Sequence, residues 1–411
     1  MRRLLAAATC AAALFSLIGA APATAGGRHH DVRFATYNLS LNRPAQGLLR
    51  EHLADPAVDD VYRRQARNVA EVIQRAAPDV VLINEFDYDP EAARLFAENF
   101  LAVSQNGAPA QKYRYRYVAP SNTGVSTGFD LNNNGVIDTT PGDQAYGDDS
   151  YGFGWFPGQY GMVVYSKYPI DLSAIRTFQL FKWKDMPGNL LPTDFYSAEE
   201  QAVLRLSSKS HWDVPVKVGR ETVHFLVSHP TPPTFDGPED RNGRRNHDEI
   251  RFWADYVNGA RYIYDDRGRR GGLHRGASFV IAGDQNADPS DGDSYDSAIH
   301  QLTEHPLINT RVSPASAGAV EAATLQGGAN LNHRGDPRFD TADFSDTAPG
   351  NLRADYVLPR RNLKIAASGV FWPVRSDPLF RLTGVFDPAW SPVGGFPTSD
   401  HRLVWADLKL H

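Results

Sequence analysis

"PTSDHRLVWADLKL", residues 397–410, sets Asp400 and His401 side by side just before an alternating apolar run through Leu403, Trp405 and Leu408. That alternation predicts a half-buried strand. Inside a strand, neighbouring side chains point to opposite faces, so an acid–imidazole pair there would send one member into the core. At the strand's mouth, after the turn-forming Pro397, Thr398 and Ser399, both can face a common cleft. Taken alone, the pair is better explained by a turn-capping aspartate and a solvated histidine. The decision rests on whether other strands end in the same way.

They do. "VRFATYNLS" (32–40) reads as a strand ending at Asn38. Val61, Val69, Val72 and Ile73 then mark a helical stripe that Pro78 stops, and "DVVLINEFD" reads as a buried strand leading to Glu85. "YGMVVYSKYPI" (160–170) and "AVLRLSS" (202–208) are predicted as two more strands. "ETVHFLVSHPTPP" runs to His229, and "NHDEIRFWADYVNGA" is a helix by its Ile250, Trp253, Ala254 and Val257 spacing. "ASFVIAGDQNADP" carries Asp284 and Asn286, and "LRADYVLPR" carries Asp355. Strands outnumber helices and the helices fall between them, which predicts two packed sheets with helices outside.

Composition limits what such a scaffold can do. The chain has 411 residues, and residues 1–25 combine a basic start, an apolar middle and an Ala-Thr-Ala end, the pattern of a secretory signal peptide. Without that segment the formal charge goes from −6 to −8. A net negative surface does not favour general attraction to nucleic acid or anionic membrane, which needs clustered Lys and Arg. The basic stretches at 241–245 and 265–276 are the local exceptions. The only cysteine, Cys10, lies within the signal, so residues 26–411 have no disulfide, thiolate metal site or cysteine nucleophile. No later apolar run is long enough to span a bilayer. With no repeat and no linker, residues 26–411 read as one secreted domain, expected to be a monomer.

Asn38, Glu85, His229, Asp284, Asn286, Asp355, Asp400 and His401 each lie at or just beyond a predicted strand end, where a rigid scaffold can hold loop residues in one site. Carboxylate and amide oxygens suit a hard divalent ion such as Mg²⁺, and two histidines leave zinc open. The HExxH motif, the nucleotide-binding glycine loop and the G-x-S-x-G elbow are absent. Acidic oxygens, amides and two histidines are what phosphoester hydrolysis needs: charge neutralisation at the phosphoryl oxygens, a base for water, and a charged imidazole at the transition state.

In order along the chain, "TYNL", "PDVVLINE", "GMVVYSKYPI", "VSHPTPP", "AGDQNADP", "RADYVLP" and "SDHRLVWADL" make the sequence resemble the endonuclease/exonuclease/phosphatase superfamily, whose members include deoxyribonuclease I and bacterial sphingomyelinases. The resemblance implies an α+β fold of four layers, an α/β/β/α sandwich of two mixed β-sheets with outer helices. It also implies roles: Glu85 as the principal metal ligand with Asn38 and Asp400 beside it, Asp284 and Asn286 handling water and phosphate, and His401 as the catalytic histidine held by Asp355. His229 corresponds to the second histidine, and Glu200 aligns with that histidine's carboxylate partner. The implied cofactor is Mg²⁺ or Mn²⁺.

An acidic, Gly/Asn-rich insertion at about 121–160 departs from the family pattern. In it, "DLNNNGVID" places Asp130, Asn132, Asn134 and Asp138 at positions 1, 3, 5 and 9 of an EF-hand-like loop, with Gly135 at the turn. Pro141 stands where a glutamate is expected, and Asp143 is the available substitute. A structural Ca²⁺ site is expected there, with an Asx-rich turn as the alternative. The aromatic run Tyr151, Phe153, Trp155, Phe156 and Tyr160 is read as lining a substrate pocket, touching a lipid surface or packing on the sheet.

The expected function is a secreted, divalent-metal-dependent phosphoesterase that cleaves P–O bonds by direct attack of water, acting on small phosphoesters or lipid head groups. An extracellular nuclease acting on DNA or RNA is the alternative within that class. A non-catalytic, calcium-dependent binding module is the alternative outside it.

Overall fold

The computed structural model describes residues 30–410, so the export signal read at 1–25 lies outside the described residues. Two sheets form the centre. The first has six strands: β1 (His30–Asn38), β2 (Val80–Asn84), β3 (Tyr115–Tyr117), β4 (Met162–Ser166), β12 (Lys364–Val370) and β13 (Val404–Leu410), ordered β12-β13-β1-β2-β4-β3. The second has five, β5 (Arg176–Thr177), β6 (Trp212–Val218), β7 (Glu221–Val227), β8 (Ser278–Asp284) and β11 (Asp355–Pro359), ordered β11-β8-β7-β6-β5. A short pair, β9 (Ala342–Asp343) and β10 (Asn351–Leu352), sits apart.

Burial separates the layers. Phe34, Leu82, Val164 and Leu408 of the first sheet and Val214, Phe225, Val280 and Val357 of the second form one core between the sheets. Alternate residues of the first sheet, among them Tyr37, Val81, Ile83 and Val163, pack outward on α1 (Leu48–Ala54), α2 (Val61–Ala76) and α3 (Pro90–Leu95). Leu226, Phe279 and Ile281 of the second sheet face outward among residues of α6 (Arg241–Val257). The result is helix, sheet, sheet, helix: period-two strands show one face to the partner sheet and the other to helices.

Local signals set the helices. Asp60 caps α2 by accepting the Arg63 amide at 2.8 Å, and Ala66, Val69, Ala70 and Ile73 form its buried face. Ala77 ends the helix in the left-handed region and Pro78 follows, as the sequence predicts. The strand expected over 202–208 is not formed. Residues Ala198–Val203 are helix α5, because Ser197 and Glu200 make a reciprocal capping box, and beyond it only a single bridge joins Arg205 to Lys182. Strand β6 has no counterpart in the sequence reading because Pro215 interrupts its pattern. Near the edge, with only two-residue β5 beyond it, that proline is tolerated.

The mixed topology places the site. β1 pairs parallel with β2, and β7 pairs parallel with β8, while the other pairings are antiparallel. Parallel partners bring their C-terminal ends to the same edge, so the residues at or after those ends share one rim. β11 and β13 run the opposite way and present their N-terminal ends there.

Candidate active site

Asn38 closes β1, opposite Asn84 at the end of β2. Glu85 follows with φ +54°, the left-handed region that a side chain of this size seldom adopts, and this turns its carboxylate into the rim. The two sheets are tied by amides: Asn84 Oδ1 accepts the Asp284 backbone N–H at 3.2 Å, and Asn38 Nδ2 donates to Glu85 Oε1 and Asp284 Oδ2, both at 3.1 Å.

Asp284 is the last residue of β8 and lies opposite Asp355, the first of β11. Its Oδ2 is 3.4 Å from His229 Nε2 and 3.5 Å from His401 Nε2. Its Oδ1 accepts the Asn286 amide at 2.9 Å, and Asn286 is held in turn by a bond from Nδ2 to the Pro230 carbonyl. Burial alone would raise the Asp284 pKa, but the charge of His401 and the bonds from His229 and Asn38 hold it well below the usual carboxylate range.

His401 is buried, with Nδ1 2.9 Å from Asp355 Oδ2. The other bond to that oxygen comes from Thr341 Oγ1, at 2.8 Å. Burial disfavours the imidazolium, yet Asp355 and Asp284 outweigh it and lift the His401 pKa well above 6.5. His229 goes the other way. Burial and the Lys209 charge lower it to about 4, and its Nδ1 is buried without a hydrogen-bond partner among the described residues. One histidine is therefore a cation at neutral pH and the other is not.

Asp400 stands beside this group, with Oδ1 3.3 Å from Ser40 Oγ and Ser399 Oγ. Burial, then the Asp400 charge, pushes Glu85 up to about 7. A hard divalent cation at Glu85 and Asp400 removes that repulsion, and carboxylate and amide oxygens are the donors such an ion takes, so the residues fit one. A second group of ligand-capable atoms, from Asp284, Asp355 and His401, lies within 4.8 Å. An imidazolium has no lone pair to give, so with His401 charged that triad is an ion-pair cluster.

Asn38, Glu85, His229, Asp284, Asn286, Asp355, Asp400 and His401 thus come together at one rim. Glu200 does not join His229. Its Oε2 accepts the Ser197 amide at 2.7 Å as part of the capping box, which spends the carboxylate on the α5 terminus.

The Asp130–Asp138 loop is knit by its own oxygens. Asp130 accepts the amides of Asn134 and Gly135 at 3.0 and 2.7 Å, Asn132 also accepts the Asn134 amide, Asn134 that of Val136, and Asp138 that of Thr140. Asp143 is engaged elsewhere, as the N-cap of α4 (Gln144–Asp148).

A cavity of about 410 Å³ opens on the site. Glu85, Lys209 and His229 line it, with Trp183, Tyr196 and Phe235 among its aromatic walls. The insertion contributes as well: Phe153 and Tyr160 line the cavity, while Phe156 is buried and Tyr151 lies beneath the Arg205 guanidinium at 4.0 Å. The aromatic run is therefore divided between pocket and packing.

Sequence reasoning missed three contributors. Thr341 braces Asp355, Glu249 fixes the Ser208 and Thr231 amides, and Lys209 reaches the cavity from a stretch without a recognisable motif. Only a charged residue inside an apolar run such as "EIRFW" marked Glu249.

A profile of the Endonuclease/Exonuclease/phosphatase family matches residues 35–401. The chain belongs to this family. Like other members of the Endonuclease/Exonuclease/phosphatase family, it is a metal-dependent phosphoester hydrolase. Among solved structures it is similar to an endonuclease/exonuclease/phosphatase from Beutenbergia cavernae, at 20% identity over 93% of this chain and 72% of that one, with a TM-score of 0.48. It is also similar to sphingomyelinase C from Streptomyces griseocarneus, at 16% identity over 92% and 99% of the two chains and a TM-score of 0.42. A Staphylococcus aureus beta toxin mutant with bound magnesium ions is a third, at 13% identity over 92% and 100%, with a TM-score of 0.45. No curated protein matches in sequence. Among the described residues, no helix of this family member is long and apolar enough to cross a membrane.

Proposed function

We propose that the enzyme hydrolyses small phosphate esters, lipid head groups among them, by direct attack of water on phosphorus. The observation that carries this reading is the position of Asp284 Oδ2, where Asn38 from one sheet and both histidines converge. In the proposal, Asn38, Glu85 and Asp400 hold the divalent ion. Bound there, Mg²⁺ or Mn²⁺ neutralises charge on the phosphoryl oxygens.

The chain's own groups do the rest. Asp284, kept ionised by its neighbours, orients the attacking water and accepts its proton as the new P–O bond forms. Asn286 holds the water and a phosphoryl oxygen by its side-chain amide. His401, a cation fixed by Asp355, stabilises the charge gathering on the phosphoryl group and protonates the leaving oxygen. His229, uncharged, adds a ring nitrogen to the same space. No side chain is needed as nucleophile, so no covalent intermediate forms.

The cavity supports a small substrate, because about 410 Å³ falls within the ~300–1,000 Å³ typical of small-molecule pockets. The net charge of −6 gives no general attraction to a polyanion. Export through residues 1–25, a single catalytic unit from residue 26 to 411, and a structural Ca²⁺ in the Asp130–Asp138 loop belong to the same proposal and rest on the sequence pattern.

The test is the turnover of an activated phosphomonoester and the matching diester in Mg²⁺, Mn²⁺ or chelator. Chelator-sensitive hydrolysis of either supports the reading. Rapid cleavage of DNA or RNA without turnover of small esters would overturn the substrate assignment.

A further inference from the structure

Lys209 lies between α5 and β6 and is only 6% exposed. Its backbone is held firmly: its carbonyl accepts the Asn122 amide at 2.8 Å, and the amide of Ser208 before it donates to Glu249 Oε1 at 2.7 Å. The other oxygen of Glu249 accepts the Thr231 amide at 2.6 Å. One carboxylate therefore fixes both the segment under Lys209 and the segment two residues past His229.

The Lys209 side chain lines the cavity with Glu85 and His229. Among the described residues its ammonium makes no hydrogen bond and no ion pair; burial lowers its pKa from 10.5, and the charges of Glu249, Glu85 and Asp284 act against that without touching it. The other strong cations of the cavity are occupied. Arg245 donates to the carbonyls of Leu206, Tyr151 and Arg205, and Arg241 is paired with Glu239. A buried ammonium with three unused donors is costly; the nearby carboxylates offset part of its charge, and an anion at the site would supply the missing hydrogen bonds.

We infer that Lys209 is a substrate-binding residue whose ammonium grips a non-bridging oxygen of the phosphoryl group beside Glu85 and His229. The inference rests on the phosphoesterase reading above and adds to it a cation supplied by the chain itself. Burial, and after it this ammonium, lower the His229 pKa, so the cation offered to the phosphate on that side is the lysine.

The experiment uses the full chain in Mg²⁺, with an activated phosphate ester as substrate and inorganic phosphate as ligand, the latter measured by calorimetry. Lys209→Met should raise the KM and weaken phosphate binding by about tenfold to a hundredfold, the range of a charge-assisted hydrogen bond. Its melting temperature should equal or exceed that of the wild type, since the variant removes an unpaired buried charge. Values of KM and phosphate affinity within twofold of wild type would overturn the inference. So would a Met variant that melts far below wild type, because Lys209 would then be a structural residue. A wild-type chain that turns over no ester in any metal is a separate result: it sinks the phosphoesterase reading itself.

Discussion

Asp355→Asn is the substitution that tests the site most sharply. It keeps the shape of the side chain but removes the charge that His401 Nδ1 meets at 2.9 Å, with both residues buried. A hydrogen bond between charged partners is worth roughly 1.5–3 kcal/mol, and each 1.4 kcal/mol is about tenfold in rate. If His401 acts as a fixed cation, kcat should fall between about tenfold and a hundredfold, with a smaller change in KM. Stability should move little. The lost ion pair is offset because Asp355 Oδ1 has no partner among the described residues, and because Asp284, a second buried carboxylate, repels the first. The His401 pKa should also drop, since Asp355 is the largest influence that raises it, so the variant should lose activity on the alkaline side earlier than wild type. Steady-state kinetics from pH 6 to 9, with thermal melting alongside, reads all three effects. A kcat within threefold of wild type and an unshifted alkaline limb would refute the role given to the pair.

Glu85→Gln should abolish Mg²⁺ binding in titration calorimetry and change how the metal-free protein responds to pH. Glu85 is raised to about 7 from 4.5, so its ionisation opposes folding: the penalty is absent below about 4.5, grows between 4.5 and 7, and is complete above 7 at roughly 3 kcal/mol. With chelator present, wild type should lose stability over that interval and Glu85→Gln should not; parallel curves would remove Glu85 as the strained acid. Glu200→Ala should cost about 1 kcal/mol of stability by urea unfolding, as loss of half a capping box does, with kcat/KM unchanged. A tenfold loss of kcat/KM would restore Glu200 to the chemistry. Asp130→Ala removes two backbone hydrogen bonds and should lower the melting temperature by a few degrees. If the loop holds calcium, added Ca²⁺ should stabilise only the wild type, and an equal response in both proteins would exclude the site.

Much of this protein is written locally in its sequence. Strands β1, β2, β7, β8, β11 and β13 each announce themselves by apolar runs, and each carries a polar residue at or near an end, so Asn38, Glu85, His229, Asp284, Asp355 and His401 could be named without coordinates. The α2 boundaries follow from a capping aspartate and a proline for the same reason: the interactions that set them span only a few residues. Where a local signal was masked, the reading failed. Val203, Leu204 and Leu206 look like a strand until the Ser197–Glu200 capping box is seen to close a helix, and Pro215 hides β6 until its place near a sheet edge is known.

What only tertiary structure decided are the relations between distant segments. Parallel pairing of β1 with β2 and of β7 with β8 gathers four strand ends, and the entering ends of β11 and β13 meet them there. That meeting makes His401 a cation and His229 a neutral ring, although both are histidines beside strand ends. Charge state depends on burial and on the balance of surrounding charge: Asp355 and Asp284 outweigh burial at His401, whereas burial and Lys209 outweigh Asp284 at His229. Neither neighbour is close in sequence: Asp355 is 46 residues from His401, and Lys209 belongs to a stretch whose pattern carries no motif. Sequence alone determined which chemical groups stand at the strand ends, because strand patterns are local; the fold determined which of them touch, and so which are charged.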